Sequence, residues 1–513
     1  MGLGLHDGGA GAAKFFVKAG AKVTVTDLRT EKQLDESLKK LKDLPVKYVL
    51  GKHRDEDFIN TDLIIRNPAV PDDSPYLKTA RKHNVPIDTD IGIFFAALRA
   101  VTRRVKLCPV PIDAISPPQI IGVTGTRGKS TTATLIYELL KTKYENVVLA
   151  GNIRKSVLLE LPEIIHHYKE ECFDCAQHKL RDDEAIPLTC RETATPRHNV
   201  WARNNKFFVV LELSSWQLEG LKKHKKSPHI AVITTILPDH LNRYKGMRDY
   251  IRTKKLIYKY QTPNDYLFLN KNDKIVSGFA REAASKVVFF TSGEARKYQT
   301  HLLGDHNLIN AAAAVKVAKH FGIPGASIQA VFRNFRGLEG RIELVSEING
   351  VKYINDTCAT TPDATIAAIA TVTASCQPPI ANNLILIAGG TDKNLNFEKL
   401  AKKITENVDL LILLPGTATR RLEKNMKKML FHLPPKDEDI QRKRIKSRIK
   451  NKKLKVRRVN SIKEAVRSAA MYAKKGDTVL LSPAGASFGL FRHEFERGKA
   501  FKEEVEYLKI SNS

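Results

Sequence analysis

The 513-residue sequence predicts an α/β protein of three domains, and two observations carry that expectation. Short apolar runs rich in Val, Ile and Leu alternate with helix-like segments along most of the chain, the rhythm of mainly parallel sheets. In one place the pair Ile120 and Ile121 leads into "GVTGTRGKSTT" and then "ATLIYELL", which sets a glycine-rich loop between a strand and a helix. With 42% hydrophobic residues and this length, the chain fills more than one core.

Taken in order, "GLGLHDGGAGAAKFFVKAGAKVTVTDLRT" reads as a glycine-rich turn, a helix and the strand "KVTVTD" ending at Asp27, a Rossmann-like unit with an acid at its second strand end. Only Met1 precedes Gly2, so either the chain begins inside its first strand or an upstream start is missing. "DLIIRNPAVP" and "VPIDTDIGIFFAAL" complete a first domain over 1–107, and the polar "CPVPIDAISPPQ" opens the next as a linker. A central P-loop-type ATPase domain over 108–339 continues through the strands "FFVVLELSS", "HIAVITTIL" and "DYLFLN". A Rossmann-like C-terminal domain over 340–513 contains "VKYIND", "NLILIAGG", "DLLILLPG" and "DTVLLSPAG".

Two insertions break the rhythm, at about 165–205 and about 436–458. In the first, Cys172, Cys175, Cys190 and His198 could number a zinc set, but the stretch has little apolar periodicity and reads as a loosely packed insertion. Around the second, Gln441 to Asn460 holds eleven Lys or Arg and no acid, about a third of the formal charge of +30. No aromatic residue interrupts that block to stack on bases, so it reads as a solvated segment and no nucleic-acid partner is expected. No apolar run approaches the roughly 18–20 residues of a membrane span, and six cysteines imply no disulfide framework. A cytoplasmic monomer without membrane insertion is expected.

The loop departs from the standard P-loop, whose first glycine would stand where Val123 is. What remains, "GTRGKST", still suits phosphate. Gly125 and Gly128 permit the turn around Thr126, amides at the helix start hold oxygens, Lys129 neutralises them, and Ser130 or Thr131 faces magnesium.

This loop, "VVLELSSWQLEG", "TTILPDHLNRYKGMRDYIRTKKLIY", "LLGDHNLINAAAA", "FRGLEGRIELV", "YINDTCATTPDAT", "GGTDKNLNF" and "LSPAGASFGLFRHEFERG" resemble, in the same order, motifs of the Mur ligase superfamily, at its MurD branch. The resemblance implies ATP-dependent amide formation between UDP-N-acetylmuramoyl-L-alanine and D-glutamate in peptidoglycan precursor synthesis, with ATP and Mg²⁺. It implies metal roles for Ser130, Glu212, His240 and Lys254, the last as a carbamylated lysine at the family's Tyr spacing. Lys255 is its neighbouring rival. The implied nucleotide contacts are Asn152, Asn307 and Asn310 beside the loop. Arg341 and Asp356 resemble the pair that reaches the γ-phosphate on closure, and Thr360, Lys393 and Ser487 match residues that hold the amino acid. Three departures stand out: Cys358 occupies a position where lysine is usual, Gly340 one where histidine is usual, and Glu494 and Phe495 leave an aromatic contact undefined. A sister amino-acid ligase and an impaired member are the alternatives within the superfamily. A dinucleotide-dependent oxidoreductase is the alternative outside it, suggested only by the first glycines and Asp27.

Overall fold

The computed structural model describes residues 1–4, 7–106, 117–153, 155–168, 206–239, 243–302, 304–374, 383–392, 395–431, 454–487 and 489–511. They form two compact units, Met1–Tyr298 with Ile309–Val331, and Gln299–Leu308 with Phe332–Ser513.

In the first unit, β1 (Val23–Asp27) pairs in parallel with β2 (Val46–Leu50), and β3 (Ile64–Ile65) with β4 (Ile87–Asp88). Residues 1–4 run between the two pairs. The Gly2 amide donates to Thr26 O at 2.7 Å, the Met1 ammonium to Ile65 O at 3.0 Å, and the Asn67 amide to Met1 O at 3.0 Å. The segment thus pairs as the end of a strand does, in keeping with the first of the two sequence readings, that the chain begins inside its first strand. Beside it opens a cavity of about 760 Å³, lined by Val23, Thr24, Leu63, Ile64 and the helix Asp7–Lys18.

The same unit holds β5 (Gln119–Thr124), β6 (Val147–Gly151), β7 (Phe208–Glu212), β8 (Ile230–Ile233), β9 (Tyr266–Asn270) and β10 (Lys286–Phe290). They build one parallel sheet in the order β10-β9-β8-β5-β7-β6. β7 and β8 are buried at every position, because helices cover both faces and a continuous apolar run is what such a strand requires. One apolar cluster runs from Ala12, Phe94 and Leu98 into Leu211, Leu218 and Ile233, so the first layer, residues 1–106, and the sheet share a core.

A polar junction adds to that core. Glu219 accepts from Tyr244 Oη at 3.2 Å and Arg243 Nη2 at 3.2 Å, and lies 3.6 Å from Arg66 Nη2. Arg243 also stacks over Trp216 at 4.7 Å and donates to Ala69 O.

The second unit contains β11 (Glu343–Ile348), β12 (Val351–Asn355), β13 (Leu384–Gly389), β14 (Leu410–Leu414), β15 (Lys455–Arg458) and β16 (Thr478–Ala484). Their order is β11-β12-β16-β13-β14-β15, and only the β11–β12 hairpin is antiparallel. The hairpin turns through Asn349 and Gly350, both at positive φ, as a tight right-twisted hairpin needs.

The strands named from sequence all form, while β2, β6, β10, β11 and β15 add to them. Among the described residues no helix is long and apolar enough to cross a membrane. The cysteine-rich stretch and most of the basic block lie outside the described residues.

Truncating Glu219 to Ala would leave two partly buried guanidinium groups without their shared carboxylate. We expect a loss of about 1–3 kcal/mol, read as a lowered urea midpoint.

Candidate active site

β5 ends at Thr124, and the chain turns on Gly125 and Gly128 before the helix Lys129–Lys141 begins. These glycines sit at φ 153° and 82°. A Cβ at Gly125 would stand 2.0 Å from Thr234 Oγ1, and one at Gly128 2.0 Å from Asn310 Oδ1, so neither place admits a side chain. The first amides of the helix have no partner within it and carry the positive end of its dipole. Lys129 Nζ folds back to donate to Gly125 O and Thr126 O, each at 3.1 Å. A phosphate oxygen is a stronger acceptor than either carbonyl.

Other residues of the loop are structural or buried at the helix start. The Thr126 amide donates to Thr235 O at 2.7 Å, and its hydroxyl meets Leu237 and, at 3.0 Å, Tyr250 Oη. Ser130 and Thr131 are buried in the first turn.

Parallel pairing brings the ends of β5, β7 and β6 side by side. Glu212 therefore closes β7 next to the loop, and Asn152 follows β6. Asn152 Nδ2 donates to Glu212 Oε1 at 2.8 Å. Glu212 is 1% exposed, and its Oε2 has no hydrogen-bond partner among the described residues. A buried carboxylate oxygen left bare is costly and suits a cation.

Lys254 ends the helix Met247–Lys254 and is also 1% exposed. Its Nζ donates to Thr124 Oγ1 at 3.0 Å and Gly125 O at 2.9 Å. Burial, and then the neighbouring Lys129 charge, hold its amine well below the usual lysine range, against the pull of Asp239 and Glu212. Lys255 points elsewhere and pairs with Glu282 at 2.6 Å. Asn310 is buried and packs on the loop, with its carbonyl accepting from Thr132 Oγ1 at 3.2 Å. Among the described residues no three His, Cys, Asp or Glu side chains converge as a metal set, and His240 lies outside those residues.

In the second unit the antiparallel hairpin returns the start of β11 beside the end of β12, which sets Arg341 and Ile342 against Asp356. The Ile342 amide donates to Asp356 Oδ1 at 3.2 Å, and Ser482 Oγ to Oδ2 at 2.8 Å. Ile342 holds φ 49°, a region that a β-branched residue enters at a cost of about 1–3 kcal/mol. Thr360 follows the same loop, and the Ala484 amide ties that loop to the end of β16 by donating to Ala359 O at 2.9 Å. Ser487 is buried just beyond. Asn307 belongs to the stretch Gln299–Leu308 of this unit, whereas Asn310 belongs to the other. Lys393 lies outside the described residues. Sequence reading missed Thr124 and Ser482; each is a hydroxyl in or ending an apolar, largely buried strand, which is the signal that could have found it.

Residues 1–89, 123–300 and 340–485 match the models of the Mur ligase MurD-like N-terminal domain, the Mur ligase middle domain and the Mur ligase glutamate ligase domain. A relative from Roseiflexus sp. (strain RS-1), UDP-N-acetylmuramoylalanine–D-glutamate ligase, is 38% identical over 99% of this chain and 97% of its own. The chain belongs to the MurD family of Mur ligases. A relative of the same name from Borreliella afzelii (strain PKo) is 31% identical over 99% of this chain and 97% of its own. Among solved structures, UDP-N-acetylmuramate-alanine ligase MurC from Thermotoga maritima covers 98% of each chain at 17% identity and a TM-score of 0.51, a likeness of fold. Membership of the MurD family makes the chain an ATP-dependent ligase.

Burial pushes Asp356 up from 3.8 to about 7, opposed by the Ser482 and Ile342 bonds and the Arg341 charge. The folded chain thus keeps a proton that an unfolded aspartate releases near 3.8. Stability from this group is full below that value and is lost as pH rises toward 7, with a slope of at most about 1.4 kcal/mol per pH unit. Asp356→Asn is expected to flatten this part of the profile, measured as denaturant midpoints between pH 4.5 and 8.

Proposed function

We propose that this chain joins D-glutamate to UDP-N-acetylmuramoyl-L-alanine, using ATP to make the alanyl carboxylate reactive. The observation that carries the reading is near-complete correspondence with relatives named for this reaction, including 32% identity over 96% of the chain with that of Symbiobacterium thermophilum.

A carboxylate resists attack by an amine because it is already anionic and has no leaving group. Transfer of the γ-phosphoryl group to its oxygen creates an acyl phosphate. The amino group of D-glutamate then attacks the carbonyl carbon, the C–N bond forms, the C–O bond to phosphate breaks, and the amine loses its proton as phosphate departs.

The residues divide this work by position. Backbone amides around Gly125, Gly128 and Thr131 cradle the phosphates, Thr126 shapes the loop through its bond to Thr235 O, and Lys129 exchanges its two carbonyl partners for phosphate oxygens. Magnesium, when bound, supplies charge that offsets the phosphates, and Ser130, Glu212, His240 and Lys254 would hold it. The bare Oε2 of Glu212 fits that role, with Asn152 orienting the carboxylate. A neutral amine captures carbon dioxide whereas an ammonium cannot, so the burial that lowers Lys254 favours the carbamate, an anion beside Glu212. Asn310 supports the loop from behind, with Asn307 on the same helix facing the nucleoside. In the C-terminal unit Arg341, beside Asp356, is a cation for phosphate, while Thr360, Lys393 and Ser487 hold the amino acid. The first layer, with its glycine-rich start and Asp27, takes the UDP portion. Such a ligase works as a cytoplasmic monomer.

Phosphate release tests the reading, with ATP, Mg²⁺ and UDP-N-acetylmuramoyl-L-alanine, and with D-glutamate replaced in turn by L-glutamate, L-lysine and meso-diaminopimelate. Release with D-glutamate alone is expected, and Lys129→Ala should abolish it. Release with another amino acid instead would replace the D-glutamate reading by a sister ligase. Lys254→Ala is expected to lose turnover and regain part of it with acetate or propionate; no recovery would count against the carbamate.

A further inference from the structure

Among the described residues Arg497 heads the fully buried side chains by size and is 1% exposed, in the first turn of the helix Glu494–Ser511. Against the cost of burial, the Glu494 carboxylate on the same helix favours its charge. The hydrogen-bond partners of Arg497 are neutral: Nε donates to Thr357 Oγ1 at 3.0 Å, Nη2 to Thr357 O at 2.8 Å, and Nη1 to Gly485 O at 3.3 Å. Thr357 Oγ1 in turn donates to Glu494 O at 2.7 Å, so the threonine hydroxyl is fixed from both sides.

The location of these acceptors gives the arrangement meaning. Thr357 stands in the loop after β12, three residues before Thr360, and Gly485 stands in the loop after β16, two residues before Ser487. β12 and β16 are adjacent and parallel. A third loop joins them, since the amides of Thr391 and Ala486 donate to each other's carbonyls at 2.8 Å. One guanidinium therefore grips two of the three loops that end at the candidate amino-acid residues. Its planar fork fixes the spacing of two carbonyls in a way that a flexible ammonium does not. It also keeps a positive charge beneath those loops, close to Cys358, where a thiol stands in place of the usual lysine.

We infer that Arg497 is a positioning residue for the acidic amino-acid substrate: it sets the spacing of the Thr360 and Ser487 loops and supplies fixed positive charge that the anionic substrate completes. The inference rests on the D-glutamate reading above.

The test compares full-length wild type, Arg497→Lys, Arg497→Met and Thr357→Val for KM toward D-glutamate, ATP and the UDP substrate, with thermal melting alongside. The D-glutamate KM is expected to rise about tenfold in the lysine variant, which keeps the charge but loses the fork, and about a hundredfold in the methionine variant. The other two KM values should stay within about twofold, because the residue acts on one substrate only. An unchanged D-glutamate KM overturns the inference, as do three KM values that rise together while melting falls. Should the Arg497 variants not fold, Thr357→Val keeps the side-chain shape, removes the acceptor of Nε, and should raise the D-glutamate KM alone by about threefold. The wild-type assay separates the two claims. Turnover with a different amino acid refutes the D-glutamate reading, and the KM split for that amino acid then judges Arg497; no amino-acid-dependent turnover overturns both.

Discussion

Charge buried at the carboxyl edge of a parallel sheet governs both units of this chain. Parallel strands finish together, so their loops crowd one edge, where ionised side chains are cut off from water and depend on whatever partners the loops provide. Here those partners are mostly neutral. Lys254 rests on a threonine hydroxyl and a carbonyl, Glu212 has one amide donor and one bare oxygen, and Arg497 has a hydroxyl and two carbonyls. Asp356 responds differently, by keeping its proton to about pH 7. At Lys254 and Arg497 the hydrogen bonds are made by neutral partners, and at Glu212 one oxygen is left bare, which is the condition under which phosphates, a divalent cation or a dicarboxylate add most.

The scaffold makes that condition tolerable by being stiff. The strand that ends at Glu212 is buried throughout and the one that ends at Thr124 from Ile120 onward, and the core cluster behind them continues into the first layer. In the second unit the hairpin forces Ile342 into a left-handed conformation, and Asp356 holds it there through the Ile342 amide. A strained residue next to a protonated acid persists only because the flanking strands leave no alternative path.

Much of this was legible in the sequence because the central strands announce themselves. Val209, Val210 and Leu211, or Leu410 to Leu414, are continuous apolar runs of the length that a doubly covered strand needs. The phosphate loop was legible through its glycines and its place between strand and helix. Of the strands that escaped notice, β15 is exposed at every position and lacks the apolar run that marks a central strand, whereas β6 and β10 carry short apolar runs that the reading passed over. β11 could have been found from Asn349-Gly350, the local signature of its turn. The Glu219 junction and the Arg497 clamp were not legible at all. Their partners are 12 (Gly485 to Arg497) to 153 (219 − 66) residues away in sequence, and the motif containing "RHEFERGK" gave no sign of which loops Arg497 would hold.

The contact between Gly128 and Asn310 ties together two positions 182 residues apart, 310 − 128, through one missing methyl group. The amide of Asn310 occupies the space that a side chain at 128 would take, so each residue defines what the other can be. Neither can drift alone during evolution: a larger residue at 128 needs 310 to shrink and still meets the strain of φ 82°, and a smaller residue at 310 leaves a hole beneath the loop. Exchanging the segment Asp305–His320 between distant relatives would therefore transplant half of a matched pair, and the nucleotide loop would register the mismatch first.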